Sequence, residues 1–165
     1  MLRLCGIVAG AILVVATVAS AQTPRLVGNA IGGAFHWHSD AGTTTDTATL
    51  RFDDAQGRQA FTVEFQVVYP GQRPAAAPAV VDMIVTQHPA EEGQPQVTLN
   101  VNGEALAVVT RPRTERSVVV SMPFDEFTRL ANAETIVQRV FDTDLEFGAG
   151  QLRMLRTTAV RWAGR

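Results

Sequence analysis

The sequence predicts a mainly β fold, a single antiparallel sandwich or curled sheet with two late helices, on three observations. Apolar and polar residues alternate with a period of two through much of residues 35–120. Clusters of Asp, Asn, Gly and Pro interrupt that alternation at short intervals. Towards the C-terminus the apolar period changes to that of an amphipathic helix. Hairpin-ordered strands followed by helices describe one two-layer domain, and 165 residues suit one domain.

Residues 26–38 open with Gly and Ala and then alternate, Phe35 and Trp37 falling on one face and His36 and His38 on the other. That is a strand with one buried side. Residues 41–47 read as a polar turn. Leu50 and Phe52, then Phe61, Val63, Phe65 and Val67, mark strands over 49–52 and 60–69, joined by a hairpin connection at 53–57. Residues 70–78, with Gly71, Pro74 and Pro78, form a surface loop. A strand over 80–87 is fenced by Pro89 and Pro95, and one over 97–101 enters Asn102-Gly103, the strongest short hairpin signal in the chain. Its return strand is expected at 105–110, a connection at 111–116 and another strand at 117–121.

The first helix is expected near 123–132. Pro123 suits a first helical position, Asp125 and Glu126 suit the positive end of the dipole, and Phe124, Phe127, Leu130 and Ala131 share a side. Residues 136–141 and 145–147 read as a hairpin about 142–144. A C-terminal amphipathic helix near 150–163 carries Leu152, Leu155, Ala159 and Trp162 inward, with Arg153, Arg156 and Arg161 outside that sector. No internal repeat and no second domain are evident.

Residues 1–21 stand apart. Arg3, an apolar run over 7–19 and Ala19-Ser20-Ala21 predict a secretory signal peptide, leaving 22–165 as a single exported β-rich domain. The run is shorter than the roughly 20 residues that cross a bilayer and no basic cluster follows it, so no transmembrane span is expected after cleavage. Cys5 lies before the apolar run, which argues against lipidation. All 14 basic residues are Arg, against 16 acidic ones, for a net charge of −2. Without Lys there is no Schiff base or P-loop lysine, and one Cys cannot make a redox pair or a thiolate zinc site. Loss of Arg3 makes the net charge about −3, which is not a nucleic-acid binder's field. Abundant Ala, Arg and Val without Lys is associated with high-GC bacterial genomes, and with the leader it places the domain in a periplasm or outside the cell.

The sharpest chemical feature is His36-Trp37-His38-Ser39-Asp40. Residues two apart on a strand share a face, so His36 and His38 can share a zinc ion, with His88 the remaining histidine to complete a trio. The run is similar to the ligand run of metallo-β-lactamase-like hydrolases, but Ala41 stands where the next His belongs and the downstream ligands are missing, so that family is rejected. His-x-His with a third His also resembles the zinc arrangement of carbonic anhydrases, over three residues only and in a chain too short for that fold. The competing reading leaves both histidines on a wet face. Asp142, Asp144 and Glu146 resemble a calcium loop, yet Phe147 and Arg153 occupy positions that need Gly and a carboxylate; turn-capping acids explain the pattern. Ser39, Ser117 and Ser121 sit in no nucleophile elbow. Glu64 and Asp82 are strand carboxylates expected to face solvent. Arg111, Arg113 and Arg116 crowd one segment and can hold an anionic ligand or partner surface through forked hydrogen bonds.

These observations favour a non-enzymatic exported envelope protein, a binding or accessory module with no cofactor, whose partner is an envelope protein or a small ligand and not nucleic acid. The alternative is a metal-binding protein or zinc-dependent enzyme using His36, His38 and His88.

Overall fold

The computed structural model describes residues 23–28, 35–40, 42–71, 76–89 and 96–164, with backbone alone for 35–40. The leader 1–21 and the inward or outward turn of Phe35, Trp37, His36 and His38 lie outside the described residues. The architecture is mainly β, two antiparallel-rich sheets with two helices, as the alternation predicts. A six-stranded sheet runs in the order β2 (Phe35–Asp40), β3 (Thr43–Asp53), β4 (Gln59–Pro70), β5 (Val80–Gln87), β9 (Ser117–Pro123), β8 (Thr110–Thr114). A five-stranded sheet runs β1 (Arg25–Val27), β11 (Thr143–Glu146), β10 (Ile136–Val140), β6 (Val97–Val101), β7 (Glu104–Leu106). Among the described residues only β1 and β11 pair in parallel. Helices α1 (Phe124–Ala131) and α2 (Ala149–Trp162) complete the element order. No helix of the described residues is long and apolar enough to cross a membrane.

The β3/β4 hairpin is the spine of the larger sheet. Ala48, Leu50 and Phe52 on β3 and Phe61, Val63, Phe65, Val67 and Tyr69 on β4 are all buried on one face, as a period of two requires. Its connection is built by Asp54, whose carboxylate accepts hydrogen bonds from the backbone N–H of Gln56 and Arg58 and from Arg58 Nε. Those donors hold the Asp54 carboxyl below the ordinary range, the Arg58 backbone N–H most of all. Asn102 and Gly103 take φ of 53° and 84°, the left-handed pair that a two-residue β6/β7 turn demands. Asn102 Oδ1 also accepts from the N–H of Glu134 and Thr135, fastening that turn to the approach to β10.

Several boundaries differ from the sequence reading. Residues 26–38 are not one strand: β1 lies in the smaller sheet and β2 in the larger. The expected polar turn at 41–47 is mostly strand, since β3 begins at Thr43 and pairs with β2 on one side and β4 on the other. Its inward positions are Thr44 and Asp46, polar residues that hide the alternation from a hydropathy reading. The strand expected at 105–110 is only β7, after which the chain leaves that sheet. The connection expected at 111–116 contains β8, an edge strand whose five residues are all exposed. Pro123 is the last residue of β9 and the N-cap of α1, not its first helical residue. The β10/β11 turn falls at Phe141 and Asp142, because Val140 pairs with Thr143. There Arg139 and Asp144 are cross-strand partners joined by two hydrogen bonds of 2.7 and 2.9 Å, and the guanidinium holds the Asp144 carboxyl below its ordinary value.

Helix α2 buries Leu152, Leu155, Ala159 and Trp162, the predicted stripe, together with Gln151 and Thr158. Trp162 stacks at 5.2 Å between ring centroids on Phe127 of α1, which lies 5.4 Å from Phe65 of β4. The helix is tied to β3 at both ends. Near its N-terminus Gln151 accepts from the N–H of Gly148 and donates to the carbonyl of Arg51 at 3.1 Å. Gly148 and Gly28 are needed here, because a Cβ on Gly148 would lie 2.6 Å from the Gly28 carbonyl oxygen. At the other end Trp162 Nε1 donates to Asp46 Oδ2 at 2.7 Å, and Arg161 reaches the same oxygen at 3.3 Å. A helix rising about 1.5 Å per residue spans about 16 Å from Gln151 to Trp162. A strand covers nearly the same distance from Arg51 to Asp46 at about 3.3 Å per residue. The two clamps match, so α2 runs antiparallel to β3.

Asp46 is fully buried, and an indole N–H and a guanidinium both meet its Oδ2, while Oδ1 has no hydrogen-bond partner among the described residues. Trp162→Phe, which removes the donor together with part of the indole's buried volume, should lower stability by about 2–4 kcal/mol in urea unfolding. In an Asp46→Ala background, which leaves no acceptor for the indole N–H, the same change should cost about 1 kcal/mol less, a coupling that a double-mutant cycle measures. Tyr69 lies close by, and burial raises its phenol pKa, the Asp46 carboxylate adding to the rise and Arg161 opposing it. A group whose folded pKa is raised contributes stability that is complete below its unfolded value, here 10.0, and is lost as pH climbs through the folded value. Tyr69→Phe should therefore shift the alkaline unfolding midpoint, followed by circular dichroism, to higher pH.

Candidate functional site

With one face of the six-stranded sheet committed to the core, the opposite face carries the chain's polar side chains in rows set by the ladders. Thr47, Gln66, Asp82 and Ser121 stand in register across β3, β4, β5 and β9. The next row is Thr49, Glu64, Ile84, Val119 and Arg111, the last from β8. A third row holds Arg51, Thr62, Thr86, Ser117 and Thr114.

Two shallow grooves of about 390 Å³ each lie on this face. One is lined by Thr49, Arg51, Gln59, Thr62, Glu64, Thr86 and His88. Gln59 Nε2 donates to Thr62 Oγ1 at 2.7 Å, and the same hydroxyl is hydrogen-bonded to His88 Nε2 at 3.1 Å. The other groove has Ile84 and Val119 in its floor, Arg111, Pro112 and Arg113 along the β8 side, and Gln66 and Asp82 opposite. There the polar groups form a relay. Arg111 NH2 donates to Ser121 Oγ at 2.6 Å, and Ser121 Oγ donates to Asp82 Oδ1 at 2.5 Å.

The arginines of this groove differ from most others. Among the described residues Arg25, Arg51, Arg58, Arg129, Arg139 and Arg161 each face a carboxylate. Arg111, Arg113 and Arg116 make no ion pair among the described residues, and the three fall within six residues of each other. Arg153 and Arg156 of α2 also lack a carboxylate, but Arg156 donates to the Ala133 carbonyl. Of the sequence-named trio, the fold brings Arg111 and Arg113 into one groove. Arg116 sits in the β8/β9 turn outside it, where its carbonyl accepts from the Gln87 N–H.

The histidines are placed by backbone. His36 pairs with Thr47 and His38 with Thr45 on β3, whose partners on β4 are Gln66 and Val68. His88 follows β5, with its N–H on the carbonyl of Ala60. Ala60 and Gln66 are about 20 Å apart along an extended strand, so the ladders do not set His88 beside His36 or His38. The side chains of His36 and His38 lie outside the described residues. Among the described residues no three His, Cys, Asp or Glu side chains gather as a metal site would require. Two of the three acids of the calcium-like run are engaged by arginine, Asp144 by Arg139 and Glu146 by Arg25.

Gln66, Asp82 and Ser121 are the groove residues whose joint role the sequence did not reveal. Each is a polar residue at an outward strand position, but only the order β4, β5, β9, β8 makes them neighbours of Arg111. No protein-family model, curated protein or solved structure matches the chain.

The groove is peripheral to the core. Arg113→Glu should leave the urea midpoint nearly unchanged, a stability difference within about 0.5 kcal/mol, because Arg113 is exposed and makes no ion pair among the described residues.

Proposed function

We propose that the chain is a non-enzymatic, exported binding or accessory module of the bacterial envelope, recognising an anionic partner through the polar face of its six-stranded sheet. The observation that carries this reading is the pair Arg111 and Arg113 beside a groove, neither in a direct ion pair among the described residues, where six other described arginines face carboxylates. A guanidinium left without an internal carboxylate keeps its fork for an outside acceptor. The face suits recognition better than turnover. Its grooves are shallow, and among the described side chains no imidazole stands within the Ser121, Asp82 and Arg111 relay to move a proton.

Export rests on the leader pattern of residues 1–21, and periplasm or extracellular space is the proposed location. The edge of the sheet is guarded: Pro112 removes a backbone donor from β8 and arginines flank it, which disfavours addition of another strand. Recognition is therefore assigned to side chains on the face.

The mature protein, purified without a histidine tag, tests the reading against the zinc alternative. Binding of an anionic probe that weakens with ionic strength and falls at least about fivefold in an Arg111→Ala, Arg113→Ala double variant supports it. Stoichiometric zinc that disappears in His38→Ala, together with unchanged probe binding in the arginine variant, would favour the metal protein.

A further inference from the structure

We infer that Asp82 and Ser121 are positioning residues that hold Arg111 ready for the carboxylates of an extended acidic segment of a partner protein. This deepens the proposed recognition role and rests on it. The Ser121 hydroxyl has one proton, and it goes to Asp82. The oxygen then offers only lone pairs to Arg111, which donates one N–H to it. Asp82 thus fixes Arg111 without touching it, and the guanidinium keeps its other donors for a ligand. A serine free to rotate would not orient the guanidinium; one anchored on a carboxylate does.

The geometry points to a protein segment. Arg111 and Arg113 are two residues apart on β8 and line the same groove. On an extended chain, acidic residues two apart lie about 7 Å from one another on one side, the same repeat as β8 itself. Ile84 and Val119 offer an apolar floor between the arginine side and Asp82. Asp82 in the groove and Glu64 in the adjoining one repel a dianionic phosphate more strongly than singly charged carboxylates.

The inference has a sign that simple electrostatics does not share. Removing the Asp82 charge next to two arginines should tighten anion binding if only net charge counts; loss of the anchor should weaken it. The probe is fluorescein-labelled hexaglutamate, read by anisotropy on the mature chain at low salt, with hexalysine as the control. Arg111→Ala and Arg113→Ala should weaken binding, and Ser121→Ala and Asp82→Ala, which leaves no acceptor for the Ser121 hydroxyl, should each weaken it by about three- to tenfold. The side-chain Nε–H resonance of Arg111, ordered in the parent protein, should become mobile in both Ser121→Ala and Asp82→Ala. Ser121→Ala breaks the same relay should Asp82→Ala fail to fold.

Unchanged or tighter binding by both relay variants, with the arginine variants still weakened, overturns the positioning role and leaves the recognition face standing. Displacement of the probe by inorganic phosphate at lower concentration than by glutarate overturns the carboxylate assignment. No binding of hexaglutamate by the parent protein overturns the recognition reading as well.

Discussion

The two-point attachment of α2 to β3 is the constraint on which the packing turns. A helix laid over a sheet by apolar contacts alone can slide, because the hydrophobic effect has no direction. Here each end is fixed by hydrogen bonds of specific geometry, Gln151 to the Arg51 carbonyl and Trp162 to Asp46. The rise of eleven helical residues equals the run of five strand residues, so both bonds form without bending either element. Trp162 also seats Phe127, and Phe127 seats Phe65, which carries the constraint through α1 to the centre of the sheet. Asp46 is costly to bury, and its two partners come from consecutive residues at the end of α2. A register error in α2 strands that charge, which makes Asp46 a selector of one arrangement as well as a contributor to it.

Once α2 and α1 occupy one face, alternation commits the other face of β3, β4, β5 and β9 to water. The period of two then does two jobs in each strand. Met83 and Val85 stay in the core while Asp82 and Thr86 stand outside, and Val118 and Val120 do so while Ser121 stands outside. A change on the wet face leaves the clamp untouched. The core and the proposed recognition face are thereby separated by sidedness.

How much of this was legible in the sequence depended on which side of a strand held apolar residues. Where inward positions were Phe, Val or Leu, as in β4 and β6, period and strand limits agreed closely. Where the inward positions were Thr44 and Asp46 the strand was mistaken for a turn, although β-branched threonines favour extended backbone. The stripe of α2 and the Asn102-Gly103 turn were both readable, because each depends on local chemistry. Trp162 was recognised as inward, but its hydrogen bond to Asp46 joins residues 116 apart, and no local pattern encodes it. The site divides similarly. Arg111 and Arg113 were visible as a cluster, whereas the relay through Ser121 to Asp82 exists only because β9 returns beside β5 with Ser121 opposite Asp82.

The position of β8 explains why charge collects there and not in the middle of the sheet. An edge strand has one neighbour, so long side chains can reach inward over that neighbour or outward to water without crowding. Arg111 reaches inward, over Val119, to the Ser121 hydroxyl on the adjacent strand. An arginine between two paired strands can meet a carboxylate on a neighbouring strand, as Arg139 meets Asp144 on one side with Thr98 on the other. Proline between Arg111 and Arg113 removes the donor that a further strand would need, so the same three residues protect the edge and populate the groove. Protection against strand addition calls only for charge and a missing donor. It does not call for a serine and an aspartate beneath one of the arginines; edge protection leaves that arrangement unexplained, and the proposed recognition role would account for it.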